Sequence, residues 1–459
     1  MRYKNILGFS LGPIITALIG FISVPLLTRL VAPDLYALVS LAQVTIQLFL
    51  FFCLAGYDQA YAREFLNVSD NRKLLLHTMV FNMAITMLAI SILYIYSEQL
   101  STYIFGRVDK LSFVLLLSIV VVSVILRYVH VTLRMAQKGL TYSIFLIIQA
   151  ITNLTSILAL ILFFDCNALH SVLSSNLLSI SIVLIISITK LRRFDFSKVE
   201  LDPLLFKQLT EYSLPLLFSS LLMWVLYSSD QYMLRYLSNL EELGLYAASY
   251  KLCAPLLLLQ TIVSTFWVPL TYKWEKEGRA LIYYERSIFF AIMILCVCFL
   301  VAILSKDVLI RLLGDMYINA IDIFPYLLIY PIYYIASEVS TFGISIARKT
   351  KYLVPISFFS AIVNITSNFA LIPILGAKGA AISTAITFVV YFYLRLYVSQ
   401  YIWKKLDVKS VHLMTLVGVV TLLVNEFYSA QALYFTLITL LLSYVIIKER
   451  KFVRSKIIK

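Results

Sequence analysis

Residues 287–304, SIFFAIMILCVCFLVAIL, run for eighteen positions without a charged side chain. An α-helix rises about 1.5 Å per residue, so this one stretch covers most of a ~30 Å hydrocarbon layer. A barrel strand would alternate polar and apolar residues over about ten positions, and this run does not. A continuous apolar helix satisfies its own backbone hydrogen bonds, which is what a bilayer demands of a chain that crosses it.

The pattern recurs in both directions from that stretch. Of 459 residues, 61% are hydrophobic and only 14% charged. With a mean hydropathy of +0.91, the chain is too apolar for a soluble domain of this length. The sequence predicts an all-α integral membrane protein with about fourteen transmembrane helices. They fall at 10–30, 36–57, 74–96, 111–133, 141–164, 168–189, 213–237, 244–271, 283–304, 321–346, 352–373, 379–402, 411–427 and 431–447. The first run lacks a small-residue cleavage pattern and reads as a retained span. The cysteines (Cys53, Cys166, Cys253, Cys296, Cys298) fall mostly inside apolar runs, so they imply neither a disulfide framework nor a zinc site.

A net charge of +14 raises the question of nucleic acid, but the basic residues form short clusters between spans, with no basic domain to hold a duplex. Membrane topology accounts for them. With the N-terminus inside, 28 of the 38 Lys and Arg residues fall on the cytoplasmic side and seven outside. That asymmetry satisfies the positive-inside rule and places both termini, including Lys448, Arg450 and Lys451, on the cytoplasmic face of the membrane.

An internal repeat organises the chain. AITNLTSILALI (150–161) and AIVNITSNFALI (361–372) agree at 8 of 12 positions under a shift of 211 residues. The same shift aligns Ala136 and Lys138 with Ala347 and Lys349. The expected domains are a six-helix lobe over 1–200, a second over 201–405, and two further helices with a basic tail over 406–459. Even helix counts make the repeat parallel, and a two-lobed bundle suits transport by rocking about a central site.

Several segments carry a family resemblance: LVAPDLY (30–36), GYDQAYAR (56–63), Ser213–Pro215 with Ser229 and Asp230, LGLYAASY (243–250) and IPILGAKGAAIST (372–384). In order and spacing the chain resembles the polysaccharide-export members of the multidrug/oligosaccharidyl-lipid/polysaccharide exporter superfamily, the O-antigen and capsule repeat-unit flippases. The resemblance implies a V-shaped, two-lobed transporter that moves undecaprenyl-pyrophosphate-linked oligosaccharide to the periplasmic face, with no cofactor. Its expected partners are the lipid-linked oligosaccharide, membrane lipids, a polysaccharide polymerase and a chain-length regulator, and no nucleic acid.

Ionisable groups inside spans cost several kcal/mol each and therefore need a partner, water or a role. Lys251 lies among the small residues Ala247, Ala248, Ala254 and Pro255, where an ammonium would offset the cost of carrying a pyrophosphate through the low-dielectric centre. Its structural alternative is snorkelling to the outer headgroups. Arg127 shares a helical stripe with Ser123, His130 and Arg134, and a solvated helix end is the alternative for Arg127 and Arg134. Arg29 and Arg395 complete the candidate substrate-binding cations, with snorkelling to the cytoplasmic surface favoured for Arg395. Glu338, Asp230 and Asp58 are the candidate ion-coupling acids, because burial raises a carboxyl into a range where it exchanges protons. Structural ion pairing is the alternative for Glu338 and Asp230, and a loop pair with Arg63 is the one for Asp58. The 211-residue shift sets Arg127 opposite Glu338, which suggests that the lobes offer opposite charges at similar depth. The many tyrosines near span ends read as interfacial anchors.

Two other functions compete. A small-cation antiporter of the same superfamily would want an acidic cavity, and this chain offers mainly Lys251 and arginines. A membrane polymerase or acyltransferase would show a long outer loop or an intramembrane histidine and acid cluster. No G-x-x-x-x-G-K-[ST] loop is present to bind a nucleotide.

Overall fold

A computed structural model describes residues 3–68, 71–164, 167–191, 202–427, 434 and 436–441. Most of the fourteenth span, Cys166 and the basic tail lie outside the described residues. Among those described, all regular structure is helical. Nine helices are long and apolar enough to cross a membrane, or ten if a pair bent by 59° (Asp315–Asp322 with Phe324–Ser340) is one span. By compactness the chain divides into one unit of Met1–Arg235 with Leu240–Ala247, and another of Tyr236–Asn239 with Ala248–Lys459.

The first unit begins with α1 (Tyr3–Leu30), α2 (Pro33–Leu54) and α3 (Tyr57–Glu64). On α1, Leu11, Ile14, Leu18 and Ile22 are all exposed at three- and four-residue spacing, an outward apolar stripe that only lipid solvates well. Proline opens α2, where its missing N–H costs nothing. The helix ends where Ala55 and Gly56 enter left-handed conformations, φ +46° and +80°. Helix α4 (Asn71–Ile95) repairs that end: the Asn82 amide donates to the carbonyls of Cys53 at 2.9 Å and Leu54 at 3.0 Å, which the helix terminus leaves without partners.

The short α5 (Ser97–Phe105) leads to α6 (Lys110–Met135), α7 (Gly139–Phe164), α8 (Ala168–Leu191) and the long α9 (Pro203–Leu237). Asp109 caps α6 by accepting from the Ser112 N–H at 3.0 Å. Asp202 does the same for α9, accepting from Leu204 and Leu205 at 3.0 and 3.2 Å. Its carboxylate also pairs with Lys73 at 3.1 Å. Its backbone N–H donates to Nε2 of the buried His77 at 2.6 Å. Helix α9 runs along α2: Ser40 donates to Gln231 at 2.6 Å, Thr45 meets the Tyr232 hydroxyl at 2.5 Å, and the Trp224 indole donates to the Val44 carbonyl at 3.1 Å.

Helix α10 (Leu240–Leu252) precedes α11 (Ala254–Lys276), α12 (Leu281–Leu304) and α13 (Lys306–Leu313). The next span is broken: a 3-10 segment, Asp315–Asp322, leads into α14 (Phe324–Leu327), α15 (Ile329–Ser340) and α16 (Gly343–Ile346). Then comes α17 (Leu353–Ile402), which is not one rod. Gly376 adopts φ +56°, ψ −132°, and a Cβ on Gly379 would lie 2.3 Å from the Leu371 carbonyl oxygen. Residues eight apart on a straight helix sit about 12 Å apart, so the chain reverses at Gly376 into two antiparallel arms, 353–375 and 377–402. Helix α18 (Lys409–Phe427) follows.

Two helix ends 211 residues apart share one geometry. Gln137 and Arg348 both have φ +56°. Lys138 N–H reaches back to the Leu133 carbonyl at 2.9 Å, and Lys349 N–H to the Ile344 carbonyl at 3.0 Å. Both are six-to-one closures around a left-handed residue.

Candidate functional site

The motif segments prove to be places of close backbone approach. A Cβ on Gly244 would lie 1.9 Å from the Pro33 carbonyl oxygen, so LGLYAASY meets LVAPDLY with only hydrogen atoms between them. Gly56 lies against Ser213, joining GYDQAYAR to the start of the Ser213–Pro215 segment, and the Tyr57 hydroxyl meets Thr210 at 2.6 Å. IPILGAKGAAIST folds on itself as the α17 hairpin. Asp230 is buried and accepts from the Tyr246 hydroxyl at 2.8 Å.

In the first unit the buried Asp58 takes both the Nε and an Nη2 hydrogen of Arg127, each at 2.7 Å. It does not pair with Arg63, which instead contacts Glu64 and lies 4.3 Å over the Tyr212 ring. The backing is aromatic: Tyr57, Tyr61 and Tyr128 are all buried in one cluster with Leu74 and Leu209. Tyr128 bonds Asn82 and the Thr78 carbonyl, and Tyr61 bonds Thr132. Arg127 itself is 43% exposed. Asp58 engages two of the five guanidinium N–H groups and fixes the fork. On the same stripe, His130 stands edge-on to Tyr142, and its buried Nε2 has no hydrogen-bond partner.

In the second unit Arg395 does not snorkel to the surface. Its side chain is 11% exposed and pairs with Glu338 at 2.9 Å, with Ser337 adding a bond at 2.7 Å. Both bonds use Nη1, and the buried Nε has no partner. A run of rings leads away from this pair. The Arg395 guanidinium lies 5.4 Å from the Tyr391 centroid, Tyr391 packs on Phe388, Phe388 on Tyr330, and Tyr330 stacks on Tyr250 with an interplanar angle of 10°. Next to Tyr250 in sequence is Lys251, half-buried, with no ion-pair or hydrogen-bond partner among the described residues. Arg29 lies exposed in the last turn of α1.

The structure therefore brings the candidates together in twos. Arg127 joins Asp58 and Arg395 joins Glu338, while Asp230 accepts from Tyr246 and Lys251 follows Tyr250 in sequence. Sequence reasoning missed Asn82, Ser337 and the Tyr250–Tyr330 stack. A lone asparagine or serine in an apolar run has no periodic signal, and tyrosine near a span end reads as an anchor. Ser337 next to Glu338 was the one local hint, since adjacent polar residues inside a span share a need for partners.

The described residues form a helical, multi-pass membrane protein that encloses arginine–carboxylate pairs. The model of the polysaccharide biosynthesis protein family matches residues 3–274, more than half of the chain. The chain belongs to that family, as the order of its motifs indicated. No curated protein matches it. Among solved structures it is similar to one described as "Lipid II flippase MurJ, inward closed conformation", with 14% identity and a TM-score of 0.74 over 98% of this chain and 99% of that one. It is also similar to an inward-facing multidrug resistance MATE family transporter of the MOP superfamily (12% identity, TM-score 0.68, 84% and 93% covered). A MOP superfamily transporter from Pyrococcus furiosus follows at 13% identity and a TM-score of 0.54, with 87% and 95% covered. At such identities the likeness is one of fold.

Proposed function

We propose that this protein is a flippase for undecaprenyl-pyrophosphate-linked oligosaccharide repeat units of O-antigen or capsule type. It moves them from the cytoplasmic to the periplasmic leaflet of a bacterial inner membrane by ion-coupled alternating access. The observation that carries the reading is Lys251: a half-buried ammonium in a helix flanked by small side chains, with no counter-charge of its own among the described residues. A cation kept without a partner in a low-dielectric region is destabilising unless an anionic ligand completes it, and a pyrophosphate supplies that charge.

The proposed architecture is fourteen helices, with lobes at 1–200 and 201–405 in a parallel repeat and the last two helices over 406–459, both termini cytoplasmic. Supporting it are the matched left-handed residues Gln137 and Arg348. The α17 hairpin adds to this, because the shift carries α7 and α8 onto its two arms. Arg127, with part of its fork unengaged by Asp58, and the unpartnered Nε of Arg395 are further phosphate donors, and Arg29 stands at the end of α1. Glu338 and Asp58 would couple only by releasing their arginines, and Asp230, buried and bonded by the Tyr246 hydroxyl, is the third candidate coupling acid. A polymerase and a chain-length regulator would act downstream on the flipped unit.

The test is Lys251→Ala in the native strain. The expected result is loss of surface polysaccharide and accumulation of the lipid-linked repeat unit on the cytoplasmic leaflet, with membrane abundance unchanged. Lys251→Arg retains part of the export by keeping the charge. Normal surface polysaccharide in Lys251→Ala cells would overturn the reading.

A further inference from the structure

A groove of about 420 Å³ lies in the second unit between the turn of the α17 hairpin and α18. Its walls are two stripes of side chains. One crosses the hairpin turn, with Leu375 at the end of the first arm and Lys378 and Ile382 on the second; the other is Val419, Leu422, Leu423 and Glu426 on α18 at i, i+3, i+4 and i+7. Each stripe is aliphatic apart from one charge. Lys378 and Glu426 meet as an ion pair. The Tyr326 hydroxyl of α14 donates to the other Glu426 oxygen at 3.1 Å, and the Lys378 ammonium stands 5.8 Å from the Tyr326 ring centroid. The collar is built where three elements end or turn, which is where a spanning protein meets headgroups.

Leu375, Val419 and Leu423 are 41%, 50% and 55% exposed, so the cleft is open along its flank and lined as an acyl chain would line it. Its mouth is not a cationic patch. One ammonium and one carboxylate sit side by side, so an anionic headgroup drawn to Lys378 would be repelled by Glu426. A headgroup carrying a phosphate and an ammonium joined by a two-carbon linker matches both charges in antiparallel order. A quaternary choline has no N–H to donate to Glu426, whereas a primary ammonium has three.

We propose that this groove is a binding site for one zwitterionic phospholipid of the phosphatidylethanolamine type, its phosphate on Lys378, its ammonium on Glu426 and one acyl chain between the stripes. The site is independent of the flippase reading, since none of its residues is a proposed substrate or coupling group.

The test uses the full-length protein in detergent, titrated by native mass spectrometry with phosphatidylethanolamine, its N-monomethyl and N,N-dimethyl forms, phosphatidylcholine and phosphatidylglycerol of identical acyl chains. One phosphatidylethanolamine should bind about tenfold tighter than phosphatidylcholine, the worth of one charge-assisted hydrogen bond, with phosphatidylglycerol no tighter than phosphatidylcholine. Glu426→Gln should abolish that discrimination, Lys378→Met should weaken every phospholipid, and Leu423→Trp should block the cleft while leaving the ion pair in place. A melting temperature within a few degrees of wild type qualifies each variant, and Leu423→Trp stands as the test if the charge variants fail it. Equal binding of all headgroups by the wild type, tighter phosphatidylglycerol, or headgroup discrimination that persists in Glu426→Gln or Leu423→Trp would overturn the site.

Discussion

The Arg127–Asp58 pair of the first unit and the Arg395–Glu338 pair of the second are built the opposite way round. In the first, the acid is the enclosed partner: Asp58 is 5% exposed and Arg127 43%. In the second, the arginine is the more enclosed, at 11% against 20% for Glu338. The same two functional groups thus do different work. Asp58 holds an accessible guanidinium in a chosen orientation, while Glu338 compensates a guanidinium that has little other access to solvent. The charge reversal between Arg127 and Glu338 along the repeat has the same origin, because each position recruits its partner from a different helix.

That difference is open to direct attack, and the largest effect should come from Glu338→Ala. Removing one partner of an enclosed pair costs about 3–5 kcal/mol because the other charge stays behind. The purified protein should lose much of its thermal stability. Asp58→Asn removes the enclosed charge and leaves Arg127 free to hydrate, so its stability loss should be about 1 kcal/mol even where transport falls. Thermal melts of both variants decide the matter, and losses of equal size would break the contrast.

A second contrast lies in the turns. The repeat places Gly379 opposite Ala168, so the second unit has a glycine where the first tolerates a methyl group. Gly379→Ala pushes a Cβ into the Leu371 carbonyl and should cost about 1–3 kcal/mol or more as overpacking. Ala168→Gly should cost about 1 kcal/mol or less. The same melts would show whether only the second unit depends on a tight reversal, and a harmless Gly379→Ala would show that the arms slide apart freely.

The smallest expected effect distinguishes the first unit alone. The Lys73 ammonium bound to Asp202, with the Leu205 N–H behind it, holds the Asp202 carboxyl below the usual carboxylate range. A lowered folded value means the anchoring is complete above about pH 4 and disappears as the pH falls through that lowered value. The hydrogen-exchange protection of the Leu204 and Leu205 amides, taken relative to the intrinsic rate at each pH, should fall on acidification below pH 4, and Asp202→Asn should flatten that dependence. Protection that stays constant with pH in the native protein would remove Asp202 as the cap that matters.

Much of the fold could be read directly. Runs such as 287–304 announce helices because the bilayer leaves no other backbone solution, and the gap between the apolar runs 352–373 and 379–402 contains Gly376, where the two arms meet. The Asp58 partner could not be read, because Arg127 lies 69 positions away and nothing in either local pattern points to the other. Arg395 misled for a physical reason: a long side chain near a span end usually reaches for headgroups, and only the arrival of Glu338 and Ser337 from α15 keeps it inside.

What the sequence by itself determined is therefore what depends on local composition and motif order: helices, their apolar length and the family. Tertiary structure alone decided which charges are paired and which are left without a partner. A span's need to bury apolar surface is written in its own residues, but the cost of a buried charge depends on whatever another helix brings within three ångströms of it.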